Sequence, residues 1–180
     1  LSDLNFLDVK FEICFEELRQ FASNGKDKIE FCISTNPGEP VRSLGKVVSG
    51  GELSRIMLAI KTILADKDET ETLIFDEIDT GISGRTAQKV SEKMALIGKN
   101  RQVICITHLP QIASMADSHY LIEKTVQQQM TMTGIRKLKP SEQIEELARM
   151  LGGVEITEKV LENAQEMKNQ AFQLKTKNCQ

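Results

Sequence analysis

The chain has 180 residues, 40% hydrophobic and 27% charged, an ordinary globular balance that excludes disorder over its whole length. Lys and Arg number 23 against 26 Asp and Glu, and the formal charge of −3 excludes a global field that would draw nucleic acid or an anionic membrane. No apolar run approaches the roughly 18–20 residues that span a bilayer.

The start carries Asp3, Asp8 and Lys10 and no apolar block, so no secretory signal is read there. The first residue is Leu rather than Met, and a piece of a longer chain is expected. Cys14, Cys32, Cys105 and Cys179 form no C-x-x-C pair, and His108 and His119 are the two histidines. Reduced core thiols of a cytoplasmic protein are expected, not a zinc site.

Residues 9–16 alternate with period two, which puts Val9, Phe11, Ile13 and Phe15 on one face of a strand. Residues 28–34 alternate again, and Asn24-Gly25 between them predicts a hairpin turn. Residues 35–48, with Asn36-Pro37-Gly38-Glu39-Pro40, read as loop. From Ser49 the spacing becomes helical, with Leu53, Ile56, Met57, Ile60 and Leu64 on one stripe. Residues 72–76 predict a buried parallel strand ending in acid. A helix over 84–97 carries Ala87, Val90, Met94 and Ile97. A second buried strand covers 102–107, and a short helix runs from Leu109 to Ala116. Strands are predicted over 119–124 and 130–138. A helix over 141–151 is stopped by Gly152-Gly153. A last helix starts at Thr157 as N-cap and runs to about Lys175, its lysines mixed with Glu158, Glu162 and Glu166 as a solvated face. Strand–helix alternation in the middle predicts an α/β fold.

Three segments carry chemistry. Ser49-Gly50-Gly51-Glu52 opens a helix, where free backbone N–H groups and the helix dipole favour an anion such as phosphate; an ordinary Ser N-cap is the plain alternative. Asp76-Glu77 ends a strand at the sheet edge where α/β proteins bind ligands. Alternation would point the two acids in different directions, one to hold Mg²⁺ and one to act as general base. His108 ends the next strand on the same edge, where a histidine can donate to a γ-phosphate or an attacking water.

Together, and in this order, these segments resemble the C-terminal half of an ABC-type ATPase head, a P-loop NTPase fold. Ser49-Gly50-Gly51-Glu52 is similar to the signature loop, Leu73 to Glu77 to the Walker B strand with its catalytic Glu, Asp79-Thr80-Gly81 to the D-loop, and His108 to the switch histidine. Glu52, where transport ATPases usually have Gln, favours the SMC-like branch. The strings from Lys46 to Ala59, Phe75 to Ile82, Thr107 to Ala113 and Ala148 to Gly153 resemble the bacterial RecN family of double-strand-break repair and recombination ATPases.

The resemblance implies a mostly parallel sheet flanked by helices, with an antiparallel hairpin near the N-terminus. Residues 1–180 would form one head lobe: hairpin and loop over 1–48, the motif-bearing part over 49–139, C-terminal helices over 140–180. It implies ATP and Mg²⁺ as cofactors, Asp76 on the metal, and Glu77 and His108 as catalytic groups. Ser49, Gly50, Gly51 and Glu52 would meet ATP held by a second head, and Asp79 would couple the two sites. A second head as homodimer, the P-loop lobe and DNA are the implied partners, with a nucleoid-associated location and no membrane.

No G-x-x-x-x-G-K-[ST] occurs in the chain and no long heptad stretch is present, so the P-loop lobe and coiled coil are expected elsewhere and this chain alone is expected to be inactive. The alternative is a non-catalytic dimerisation or partner-recruitment module of the same fold. Arg55 is expected to face a partner head, DNA or solvent.

Overall fold

The computed structural model describes residues 1–177 apart from positions 5, 7, 48, 65, 66, 68, 128, 129 and 154; Cys179 and Val48 lie outside the described residues. β1 (Lys10–Ala22) and β2 (Gly25–Ser34) form an antiparallel hairpin with Lys10 opposite Ser34 and Glu17 opposite Asp27. The register shifts before Ala22 meets Gly25, and Gly25 takes the left-handed φ of 116° that the tight turn needs.

Residues 35–48 are not all loop. The Ser34 hydroxyl lies 3.1 Å from the carbonyl oxygens of both Asn36 and Glu39. That folds the Pro-containing turn back, so that β3 (Arg42–Ser43) pairs with β2 and a single helical turn α1 (Leu44–Val47) follows.

α2 (Gly50–Ile63), β4 (Thr72–Phe75), α3 (Gly84–Ile97) and β5 (Gln102–Cys105) form the α/β part, with β4 and β5 parallel and Thr72 opposite Gln102. α4 (Pro110–Ala113) leads to the antiparallel pair β6 (Tyr120–Gln127) and β7 (Met130–Lys137), then to α5 (Pro140–Gly152) and α6 (Glu158–Lys177). The α/β class therefore takes the form of mixed sheets: β4–β5 is the parallel pair among the described residues, and the longer ladders are antiparallel.

One core joins Leu73 and Phe75 of β4 to Ile56 of α2 and Val90 and Met94 of α3. A smaller one joins Ala113, Leu147, Ala148 and Ala164 across α4, α5 and α6. The expectation that β4 and β5 are buried on both faces is corrected. Alternation sends Leu73 and Phe75 inward, while Ile74, Ile104 and Ile106 are 67%, 44% and 49% exposed. Ile74 shares an open groove with Leu53 and Met57, so the predicted apolar stripe of α2 is split between core and groove. The hairpin repeats the pattern. Ile33 is buried at one end of its apolar face, but Ile13, Phe31, Ile29 and Phe15 toward the tip are exposed, with Phe11 and Phe31 stacked at 5.5 Å.

Gly153 ends α5 with φ 71°, its N–H donating to the Arg149 carbonyl at 2.9 Å. Thr157 caps α6 through its hydroxyl. Lys168 is not on a solvated face: its ammonium donates to the carbonyls of Ser114 and Ala116 at 3.0 and 2.9 Å, and burial pushes its pKa down. It ties α6 to the end of α4. Cys14, Cys32 and Cys105 are free thiols. Among the described residues no helix is long and apolar enough to cross a membrane.

Candidate functional site

An antiparallel helix-then-strand connection puts the start of α2 beside the end of β4. Ser49 is the extended N-cap of α2, and its Oγ accepts from the Glu52 N–H at 3.4 Å. The N–H groups of Gly50 and Gly51 lie in the first turn and have no acceptor within the helix. Ser54, one turn on, donates its hydroxyl to the Asp76 carbonyl at 2.9 Å. A Cβ on Gly50 would fall 2.3 Å from Glu77 Oε2. One on Gly51 would fall 2.8 Å from the Glu77 carbonyl oxygen and 2.9 Å from Thr80 Cβ. The two glycines are what let the helix start approach the 76–80 loop.

β4 stops at Phe75, so Asp76 and Glu77 both lie past the strand and alternation does not separate them. The backbone does. Glu77 has a left-handed φ of 56°, its N–H donates to the Asp76 carboxylate at 2.9 Å, and its carbonyl closes a turn by accepting from the Thr80 N–H at 3.0 Å. A left-handed non-glycine residue costs about 1–2 kcal/mol, and such strain concentrates at functional positions. Asp76 and Glu77 are both exposed residues.

Asp79, the acid of the segment similar to the D-loop, is held within this chain's own fold. It is 4% exposed. Its Oδ2 accepts from the Thr107 hydroxyl at 2.5 Å and the His108 N–H at 2.9 Å, and lies 3.0 Å from His108 Nδ1. Thr107 Oγ1 in turn accepts from the Leu109 N–H at 3.0 Å. The carboxylate thus pins the end of β5 to the loop after β4, while the His108 side chain stays 75% exposed. Behind it, burial with the charges of Asp79 and Asp76 pushes the Cys105 thiol up to about 12.

Arg55 corrects the expectation of a partner- or solvent-facing side chain. It is 4% exposed and lies 5.6 Å from the Phe6 ring centre. Its Nη1 donates to the carbonyls of Ile78 and Thr80 at 3.3 and 2.8 Å, and its buried Nε has no partner among the described residues. Burial pushes its pKa down, with Glu52 opposing. Its place beside Ile56 in an apolar stretch was the available sign. Arg85 is exposed.

Ser49, Gly50, Gly51, Asp76 and Glu77 are therefore brought together, and His108 joins them through Asp79. Glu52 contributes its backbone N–H to the cap.

No protein-family model matches the chain. A DNA repair protein RecN of Halalkalibacterium halodurans is 50% identical over 168 residues, 93% of this chain and 30% of that protein. One of Bacillus subtilis is 48% identical over 157 residues, 87% of this chain and 27% of that protein. A solved structure described as concerning ATP-driven dimerisation and DNA-stimulated activation of SMC ATPases aligns with a TM-score of 0.47 at 17% identity, covering 86% of this chain and 89% of that one. The chain spans less than a third of the length of the two RecN relatives. This level of identity across most of its residues identifies the chain as the C-terminal region of a bacterial RecN protein.

Proposed function

We propose that this chain is the C-terminal part of an SMC-like ATPase of DNA double-strand-break repair and recombination, hydrolysing ATP at a head–head interface once a P-loop-bearing lobe completes it. One observation carries the proposal: the Asp76–Glu77 pair stands against the Ser49–Gly51 helix start, with His108 on the adjoining strand end.

In this proposal Glu77 orients the attacking water and takes its proton. His108 contacts the γ-phosphate. Ser49 and the first-turn amides of Gly50 and Gly51, with Glu52 behind them, cap the γ-phosphate of ATP held on a second head. The donor set fits Mg²⁺. Asp76 offers one hard, exposed carboxylate beside a phosphate-binding helix start, and one carboxylate plus nucleotide phosphates is a usual set for that ion. Among the described residues no group of three His, Cys, Asp or Glu could hold a metal by itself. When bound, Mg²⁺ supplies charge neutralisation on the phosphates. ATP joins two heads, hydrolysis parts them, and the cycle acts on DNA through the whole protein at the nucleoid.

The test is ATP binding and turnover by this chain alone and mixed with the P-loop segment of the same protein. Turnover only in the mixture is the expected result. A folded, associated mixture that binds no ATP would leave the non-catalytic interaction module instead.

A further inference from the structure

We propose that Arg55 is the positioning residue of Glu77: by holding the carbonyls of Ile78 and Thr80, it keeps residue 77 in its left-handed turn with the carboxylate beside the start of α2. The consequence for hydrolysis rests on the ATPase proposal above; the hold on the turn does not.

A left-handed residue other than glycine persists where its surroundings over-determine it. At Glu77, with φ 56°, two bonds are local. Its N–H donates to the Asp76 carboxylate at 2.9 Å, and its carbonyl accepts from the Thr80 N–H at 3.0 Å. These shape the turn but do not place it against α2. Two consecutive residues of α2 do. The Ser54 hydroxyl donates to the Asp76 carbonyl at 2.9 Å. Arg55 Nη1 donates to the carbonyls of Ile78 and Thr80 at 3.3 and 2.8 Å. The carbonyls on both sides of Glu77 are thus bonded to one helix.

The guanidinium is committed to this loop. Arg55 is 4% exposed, the Phe6 ring lies 5.6 Å away, and Nε has no partner among the described residues. Hydrogen bonds from a cation are stronger than those from a neutral donor. The placement also has little slack. A Cβ on Gly50 would collide with Glu77 Oε2, so a small rotation of the turn carries the carboxylate away from the helix start. Arg55 therefore decides where Glu77 stands without touching any reacting atom.

The experiment begins with NMR of this chain, isotope-labelled. A positive φ brings a residue's own N–H and Hα protons close and gives a strong cross-relaxation peak between them. The expected result is a strong peak at Glu77 in the unsubstituted chain and a weakened one in Arg55→Met, with the β1–β2 amide signals unmoved. Absence of the peak in the unsubstituted chain would overturn the proposal, and so would a folded Arg55→Met chain that keeps it at full strength. Should Arg55→Met not fold, Arg55→Gln is read in the same way: it keeps a donor, but two bonds short of Nη1.

In the completed head, Arg55→Met should lower kcat about 10- to 100-fold with far less effect on KM. Arg55→Lys, which keeps the charge and one donor nitrogen, should recover part of the loss. On top of Glu77→Asp, which already displaces the carboxylate, the Arg55→Met loss should shrink. An equal loss in both backgrounds means that Arg55 acts on something other than Glu77, and the proposal falls. If the completed head hydrolyses no ATP while Arg55→Met weakens the Glu77 peak, the ATPase proposal falls and the hold of Arg55 on the turn stands.

Discussion

The guanidinium of Arg55 donates to the carbonyl oxygen of Thr80 at 2.8 Å from inside the fold, so the helix that begins at Gly50 grips the loop that follows β4. Arg55→Met keeps the volume and leaves the Ile78 and Thr80 carbonyls without their donor. Unsatisfied buried groups make this costly, and a loss of about 2–4 kcal/mol is expected. Arg55→Lys should fall between, since one ammonium cannot copy the planar fork. Chemical denaturation measures both. An Arg55→Met chain as stable as the unsubstituted one would show that the clamp is idle.

Gly50 and Gly51 should respond differently to alanine. The Cβ of Gly51→Ala meets backbone, the Glu77 carbonyl oxygen at 2.8 Å, so the loop must shift and about 1–3 kcal/mol is lost. The Cβ of Gly50→Ala meets the far end of the Glu77 side chain, which can swing aside. Gly50→Ala should therefore fold nearly as well and, in the completed head, lose turnover through displacement of the Glu77 carboxylate. Equal destabilisation by the two would contradict the contact geometry.

Glu77 sits in left-handed backbone. Glu77→Gly removes the steric cost and should stabilise the chain by up to about 1 kcal/mol, readable as a raised Tm. Glu77→Gln keeps shape and removes the base: in the completed protein it should abolish hydrolysis while ATP-driven association persists. Unaltered turnover in that variant would remove Glu77 from the chemistry.

The exposed face of the hairpin tip gives a solution signature. Phe15, Ile29 and Phe31 are 69%, 58% and 50% exposed and lie on one side of the β1–β2 ladder. Exposed apolar patches bind hydrophobic dyes and promote association. Phe15→Thr with Phe31→Thr keeps strand-forming residues and should lower both dye fluorescence and sedimentation-detected self-association. No change in either would mean that this face is not the sticky one.

Alkaline pH should weaken the fold through Cys105. Its thiol is raised from the ordinary 9.0 to about 12 in the folded chain. Between these values the unfolded chain has lost a proton that the folded chain keeps. The unfolded state then binds fewer protons, so stability falls as pH rises from about 9 toward 12. Cys105→Ala should flatten that decline, measured as denaturation midpoint against pH. An unchanged slope would assign the loss to other groups.

Much of this was legible in the sequence because periodicity reports local structure. The apolar spacing predicts a helix over 84–97, where α3 runs Gly84–Ile97, and Ser49, which the sequence marks as a helix start, is the N-cap. Burial was harder. The apolar runs at β4 and β5 read as two-sided cores, yet Ile74 and Ile104 are exposed, because a run of apolar residues does not say what covers its second face. Arg55 and Lys168 depart from the solvated reading, and the burial of Asp79 is not foreseen, for another reason. A charged residue is assumed to be solvated, and what buries these three is a set of carbonyl, hydroxyl and N–H partners distant in sequence. The left-handed turn at Glu77 had no glycine to announce it.

The hydrogen bond from the His108 N–H to Asp79 spans 29 positions of chain, whereas the hairpin turns between Ala22 and Gly25. Closing a long loop costs more entropy than closing a short one, and distant pairings slow folding. The hairpin can zip by itself, but the Asp79–His108 pair exists only after α3 has carried the chain across and β5 has docked on β4. Proton exchange at that histidine amide therefore clocks completion of the parallel pair: a nascent chain halted before residue 108 has its acids in sequence but no anchor for the loop that presents them.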